Sequence, residues 1–528
     1  VNCGTAETSP DVWLKVTPEA AAGLVVATCG GATYDTVLSV HTACPATVAN
    51  QLVCIDDSCG IQTQVTVPVA AGATYYIRVS GYSGDTGPFT IALSSIAPPP
   101  PPSRGPDVIV GDLNSVERYT ASGGISAYAV GTTSCNIGDT DLLWIANNNQ
   151  HPVIFQAMYR LRNGRFEQIG QSWLKHAFAA VNDGICGSCN GHLGQVLGVG
   201  CSDPYGSGLN GEQSLLGPKW QVNATSGNYP YPPANPSYSG TIARRLQVQT
   251  TDIDPMFNSG AMYFVEGQYI TADDALAGNG LNNATYKRIT FANVSANPVF
   301  AGTAVRGSPA IEAWKDVDPA VSEVHADYLE SGVTARFIVA GKATDNGNGT
   351  WRYEYAAYNL NSHRSGRSFS IPVPPSATIT NIGFRDVFYH SGDGMNGVTF
   401  DGTDWTASVA GGAITWATST FEQNPNANAL RWGTLYNFRF DCNIAPSSGA
   451  GVIGLFRPGS VGQPGLVLAS GVPIPGCRAD WNHDGVVDSQ DFFDFVAGFF
   501  SNNADFNRNG VTDSQDFFDF LGAFFNGC

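Results

Sequence analysis

The 528-residue chain predicts a mainly β protein, in which several β-sandwich domains are followed by a small C-terminal α module of paired calcium loops. Three observations carry that expectation. Charged residues are only 13% of the chain while Gly (61) and Pro (31) are abundant, a composition that suits short strands joined by tight turns. Alternating runs of β-branched and aromatic residues recur between Gly, Asn and Asp clusters. Near the C-terminus a segment rich in Asp and Asn repeats itself. At roughly 150 residues per domain, this length predicts three or four domains, each large enough to bury a core.

Charge and cysteine usage narrow the function classes. A formal net charge of −18, with no Lys/Arg run, opposes a phosphate backbone and excludes nucleic acid as a partner. No apolar run is long enough for a membrane span, so the protein is not transmembrane on this reading. Val1-Asn2-Cys3 opens the chain without a charged and apolar leader, which reads as a processed form. The cysteines fall in local groups (Cys29, Cys44, Cys54, Cys59; Cys135, Cys186, Cys189, Cys201; Cys477, Cys528), a usage that favours an oxidising compartment. A secreted, extracellular or cell-surface protein is expected.

Residues 1–97 form the first predicted domain. Asp11 to Val16, Thr36 to Val40, Thr63 to Val69, Thr74 to Val79 and Phe89 to Leu93 read as strands, with Gly81, Gly84 and Gly87 punctuating the last hairpin. This is a small β-sandwich pattern. The phrases Asp11-Val12-Trp13, Tyr34-Asp35-Thr36-Val37-Leu38, Cys54-Ile55-Asp56-Asp57-Ser58-Cys59, Tyr75-Tyr76-Ile77-Arg78-Val79-Ser80-Gly81 and Gly87-Pro88-Phe89-Thr90 resemble the bacterial pre-peptidase C-terminal (PPC) domain. That resemblance implies a jelly-roll-like accessory module with a targeting or binding role. A linker, 98–105, follows: Pro98 to Pro102 cannot join a sheet ladder and favours an extended polyproline helix.

Residues 106–315 read as a central β-rich domain with one short helix, Ser172 to Val181, where Trp173 and Ala177, then Leu174 and Phe178, pair at i,i+4. His151, His176, His192 and the Cys186/Cys189 pair offer metal-ligand chemistry, but a second CxxC is missing, and a disulfide-stapled loop is the favoured reading. Glu167, Glu212, Asp252, Asp254 and Glu266 are available should hydrolysis need two facing carboxylates. Ser202 lacks the second Gly of a nucleophile elbow. No catalytic or cofactor-binding residue is assigned.

Residues 316–470 predict a further β-sandwich, Ig-like in pattern. Ala335 to Ala340 and Trp351 to Tyr355 flank Asp345-Asn346-Gly347-Asn348-Gly349, a hairpin signal whose turn residues supply positive φ. Further on, Leu435, Asn437 and Arg439 alternate with Tyr436, Phe438 and Phe440, giving one aromatic and one mostly polar face. Phrases such as Tyr389-His390-Ser391-Gly392 resemble large uncharacterised secreted proteins, which implies no activity.

Residues 477–528 contain the repeat. Asp480-Trp481-Asn482-His483-Asp484-Gly485-Val486-Val487-Asp488-Ser489-Gln490-Asp491 recurs as Asp505-Phe506-Asn507-Arg508-Asn509-Gly510-Val511-Thr512-Asp513-Ser514-Gln515-Asp516. Oxygen donors at loop positions 1, 3, 5, 9 and 12, a turn-making Gly at 6 and a carbonyl at 7 wrap a hard cation. Two Ca2+ ions are therefore expected, the first on Asp480, Asn482, Asp484, the Val486 carbonyl, Asp488 and Asp491. The second falls to Asp505, Asn507, Asn509, the Val511 carbonyl, Asp513 and Asp516. Asp at position 12 has a shorter reach than the usual Glu. With one apolar helix after each loop and Gly476-Cys477 and Gly527-Cys528 at the ends, the segment resembles the dockerin-like ends of secreted planctomycete-type proteins. In that family the module docks or anchors its carrier. Cellulosomal dockerins present a Ser/Thr-type pair at loop positions 10 and 11, whereas Ser489-Gln490 and Ser514-Gln515 stand here, which argues against a cohesin partner. The helices carry more Phe than a module of this size easily buries, so some of it is available to a partner. Cys477 and Cys528 are placed to clasp the two ends.

These readings favour a non-catalytic structural protein that docks to another protein or a neighbouring subunit through a calcium-loaded module, as part of a filament or matrix. An open head-to-tail contact of this kind generates filaments. Two alternatives stand beside it: a polysaccharide-active hydrolase with its catalytic domain at 106–315, and a carbohydrate-binding adhesin with exposed Trp or Tyr platforms on a sandwich face.

Overall fold

The computed structural model describes residues 9–18, 22–47, 50–56, 61–69, 73–96, 105–176, 178–192, 194–234, 238–388, 390, 392–460, 463–476, 478–482, 487–507 and 510–526. The Pro98 to Pro102 linker lies outside them. The chain divides into two compact units, Val1–Pro102 and Ser103–Cys528, and every strand pairing among the described residues is antiparallel.

The first unit holds a four-stranded sheet in the order Asp11–Val16, Tyr75–Gly81, Thr36–His41, Gln51–Asp56 and a three-stranded sheet in the order Gln64–Val69, Ala22–Ala27, Ala92–Ile96. Alternation decides which side chains go inward. Val65, Val67 and Val69 from one sheet meet Leu38, Val40, Ile77 and Val79 from the other in a single core. Asp11 reaches across its strand pair to Arg78 at 2.7 Å. Cys29 and Cys54 of this unit each take part in a disulfide.

In the second unit an eleven-stranded sheet is built on Val108–Ser122 and Ile125–Asn136, a long hairpin turned by Gly123 and Gly124 at φ 60° and 80°. The sheet curls on itself. Thr285 Oγ1 donates to the Val110 carbonyl at 2.6 Å and Lys287 Nζ to Asp112 at 2.9 Å, so the first strand returns to the Ala284–Thr290 strand. Val110, Tyr128, Ile154, Met158 and Val265 fill the space enclosed.

The other face of this sheet packs on a five-stranded sheet ordered Ser322–Glu330, Val333–Asp345, Trp351–Asn359, Thr434–Cys442, Ile379–Arg385. That middle sheet is buried on both faces, and its sequence shows it. Ile338, Ala340, Ala356, Tyr358 and Leu435 join Phe155, Tyr159 and Phe166 of the curled sheet in one core. Their strand neighbours Phe337, Val339, Tyr355, Ala357, Phe438 and Phe440 point the opposite way into a second core, shared with Phe369, Ile414, Trp416 and Ile453. Those last residues belong to the outer sheet, ordered Thr406–Ala410, Ala413–Ala417, Gly366–Pro372, Pro446–Leu455, Leu466–Pro475. The second unit is thus layered, with one core running across position 315.

Three expectations meet the structure here. The Asp345 to Gly349 hairpin forms, with Gly347 and Gly349 at φ 72° and 82°. The polar face expected for Leu435, Asn437 and Arg439 is instead mostly buried: Asn437 Nδ2 donates to the Phe166 carbonyl at 2.8 Å, and only Arg439 is exposed. The helix expected at Ser172 to Val181 does not form among its described residues. Leu174–Lys175 is a short strand pairing with Ile154 and Leu216–Gly217, because Ser172 to His176 are all buried and leave no polar face for an amphipathic helix. No helix among the described residues is long and apolar enough to cross a membrane.

The C-terminal segment folds as two helices, Ser489–Phe500 and Ser514–Asn526, around a small core of its own: Ala479, Phe495, Ala504, Phe506 and Phe520. The Phe495 and Phe520 rings stack with centroids 3.9 Å apart.

Candidate functional site

Each C-terminal helix begins with a reciprocal cap that the repeat reproduces bond for bond. Asp488 accepts the Gln490 N–H at 2.7 Å and Asp513 accepts that of Gln515 at 2.8 Å. In return Asp491 receives the N–H groups of Asn482 (3.0 Å) and Asp488 (2.9 Å), and Asp516 those of Asn507 (2.9 Å) and Asp513 (2.8 Å). Asp491 and Asp516 are fully buried. In the second loop Gly510, at φ 90°, turns its N–H onto Asp505 at 2.8 Å, drawing loop position 1 towards position 6. Among the described residues Asp480, Asn482, Asp488 and Asp491 serve the first loop, and Asp505, Asn507, Val511, Asp513 and Asp516 the second. Asp484, Val486, Asn509, Cys477 and Cys528 lie outside them. The donor set is all oxygen, the chemistry a hard divalent cation takes, and among the described residues no three carboxylates of a loop gather within 4.8 Å of one another.

The carboxylates considered for hydrolysis go elsewhere. Glu266 is fully buried between two sheets, where Oε1 accepts the hydroxyls of Tyr358 (2.8 Å) and Tyr159 (3.2 Å) and Oε2 the Ala310 N–H (2.6 Å). Burial pushes its carboxyl up to about 7. Glu167 pairs with Arg160 at 2.6 Å, and Asp252 with Arg160 and Arg385 at 3.0 Å each. Asp254 accepts the Met256 N–H, and exposed Glu212 accepts Ser214 Oγ. Glu167 shares an open cleft with Glu354, where arginines hold both carboxylates in ion pairs, while Glu266 is sealed away from any cleft.

The His/Cys group also separates. Cys186 is bonded to Cys135 and Cys189 to Cys201, which staples the 182–201 loop. His151 and His176 are buried 3.3 Å apart, with His176 pushed down to about 3 by burial, and His192 pairs with Asp141 at the surface. Among the described residues Trp13 (41%) and Tyr82 (40%) are the exposed Trp and Tyr side chains, both in the first unit, so the sheets of the second unit present no aromatic platform there.

Two clusters escape sequence reading. Lys219 is sealed 4.2 Å over the Phe155 ring and 5.0 Å over Trp432, donates to Gln171 Oε1 at 3.0 Å, and is pushed down to about 7 by burial. Asp393, pushed up to about 7 by burial, lines the same cavity, whose volume of 20 Å³ has room for about one water. Glu312, Glu323 and His325 bring ligand atoms within 4.8 Å of one another. Glu323-Val324-His325 places two donors on one strand face, a signal visible in the sequence; Glu312 arrives from the Glu312–Val317 helix, which is not.

No protein-family model matches the chain, and no curated protein matches it. The reading therefore rests on the residues themselves.

Proposed function

We propose that the chain is a non-catalytic structural protein of a bacterial cell surface or extracellular matrix, docked to a neighbouring subunit or another protein through a calcium-loaded, dockerin-like C-terminal module. On this reading the protein is secreted, two Ca2+ ions occupy the repeated loops, and the PPC-like first unit is an accessory module of the kind found on planctomycete-type secreted proteins. The observation that carries it is a surplus repeated like the loops: Phe493 (62%) and Phe500 (83%) are exposed, and so are their repeat equivalents Phe518 (64%) and Phe525 (78%). A duplicated loop-helix unit with buried carboxylates and four large rings left in water suits a docking face. The hydrolase alternative gains nothing from the sealed Glu266, and has in its favour only the cleft that Glu167 shares with Glu354, where Arg160 and Arg165 hold both carboxylates.

Calcium titration into the full chain, followed by calorimetry and then by electron microscopy before and after chelation, tests the proposal. Two ions per chain and filaments or larger assemblies that disperse on chelation are expected. Absence of calcium uptake, or monomers in both conditions, overturns it.

A further inference from the structure

In a chain of net charge −18, six of its 26 basic residues converge on one cleft. The cleft has a volume of about 370 Å³ and lies at the seam of the curled and middle sheets. Arg160 and Arg162 come from the Val153–Arg162 strand, Arg165 from its hairpin partner, and Arg352, Arg385 and Arg439 from three strands of the middle sheet. We propose that this cleft binds a tetrahedral dianion, a phosphate monoester carried on a larger molecule.

A closed ion-pair network would be the bland explanation, and charge counting decides against it. Four carboxylates answer the six guanidinium groups: Glu167 and Asp252 on Arg160 and Arg385, Glu354 on Arg165 at 2.5 Å, and Asp441 on Arg352 at 3.3 Å. Among the described residues no carboxylate lies within ion-pair distance of Arg162 or Arg439, so two positive charges remain. Arg162 donates from Nη1 to Asn258 at 3.2 Å, while its Nε, like the Nε of Arg160 and Arg385, is buried without a hydrogen-bond acceptor. The guanidinium groups that line the cleft offer donors in the paired geometry that a tetrahedral oxyanion accepts. Two uncompensated charges match a dianion better than a single carboxylate.

The rim is open: Arg439 is exposed and the Arg352 side chain is 54% exposed. A second hollow of about 390 Å³, lined by Arg352, Asn381, Ile382 and Arg439, shares two arginines with the first. Room beyond the charged cleft accommodates the carrier of the ester. The inference uses none of the C-terminal module and stands apart from the docking proposal.

Calorimetry on the full chain at constant ionic strength, in a chloride buffer, tests it with sodium phosphate, galactose 6-phosphate, galactose 6-sulfate and galactose. Saturable uptake of one equivalent of phosphate and of galactose 6-phosphate is expected, with the monoanionic sulfate ester weaker and galactose silent. Arg162→Gln and Arg439→Gln are each expected to weaken binding about tenfold, since a hydrogen bond to a charged group is worth roughly one decade. Should the Gln variants fold poorly, the Arg162→Lys/Arg439→Lys pair keeps the charge and removes the fork, and a several-fold loss is expected. Arg288→Gln, at an exposed site elsewhere on the sheet, leaves binding unchanged. No heat with any of the three anions, equal loss from Arg288→Gln, or full affinity in the two Gln variants and in the Lys pair overturns the proposal.

Discussion

The middle sheet and the C-terminal module are both rich in aromatic rings, and they dispose of them differently. Along the Thr434–Cys442 strand, Tyr436, Phe438 and Phe440 are fully buried against Phe369 and Trp416 while Leu435 is buried against the curled sheet. Along the Ser489–Phe500 helix, Phe495 is buried but Phe493 and Phe500 stand in water. The difference is one of surface to volume. A layered unit has an apolar partner for either face of a strand, whereas a two-helix module has one small core and fills it with one ring per turn. Exposed rings in the module are thus a residue of its size, and their repetition in the second helix is what gives them functional weight.

The comparison breaks most visibly at Phe438. Its ring lies 4.7 Å from Phe369 and 5.4 Å from Trp416, so Phe438→Ala should lower the stability of the second unit by about 3–5 kcal/mol, read as a drop in its calorimetric transition. A drop confined to a few tenths would mean that the outer sheet contributes little.

Calcium should act on the other side of the comparison alone. At a hundredfold excess over Kd, saturating one loop adds about 2.7 kcal/mol to the module and leaves the layered sheets unchanged. Asp516→Ala removes both the ligand and the acceptor of two backbone N–H groups, and should abolish the increment from the second loop. Hydrogen exchange, resolved by segment, reads the two effects separately.

Proton linkage sharpens the seam between the sheets. Burial raises Glu266 from 4.5 to about 7, so between those values the folded chain holds a proton that the unfolded chain has released. Its stabilising contribution is complete below pH 4.5 and is lost as pH rises through 7. Glu266→Gln removes the titration at the cost of one acceptor, the one that receives the Ala310 N–H or the tyrosine hydroxyls, so its stability should stay flat where the parent's falls, by on the order of 2 kcal/mol between pH 4.5 and 7. Parallel pH profiles of parent and variant would refute this.

The smallest effect belongs to the exposed rings. Phe500→Ser with Phe525→Ser should shift the unfolding transition by no more than about 0.5 kcal/mol, as surface substitutions do, yet disperse any calcium-dependent assembly seen by sedimentation. A large loss of stability would instead place those rings in a core.

Local chemistry was legible before the structure. The Asp345 to Gly349 turn needs positive φ at its glycines, and the duplicated Asp/Asn segment is read directly off the chain; that Asp488 and Asp513 cap the two helices is a finding of the structure. The Ser172 to Val181 segment shows the limit: its i,i+4 spacing is genuine, but Ile154 and Leu216–Gly217, distant in sequence, recruit Leu174–Lys175 as a strand. Glu266, read as an available catalytic carboxylate, became a buried acceptor because Tyr159, Tyr358 and Ala310 converge on it from three separate segments.

By itself the sequence determined the mainly β character, the cysteine-stapled loop and the duplicated C-terminal loop-helix segment, since each depends on period, composition or short-range spacing. Tertiary structure alone decided that the middle sheet is buried on both faces, that Glu266 and Lys219 are sealed between layers, and that six arginines meet at one seam. Those facts depend on which sheet packs on which, and burial and electrostatic field are properties of that three-dimensional neighbourhood rather than of the order of residues along the chain.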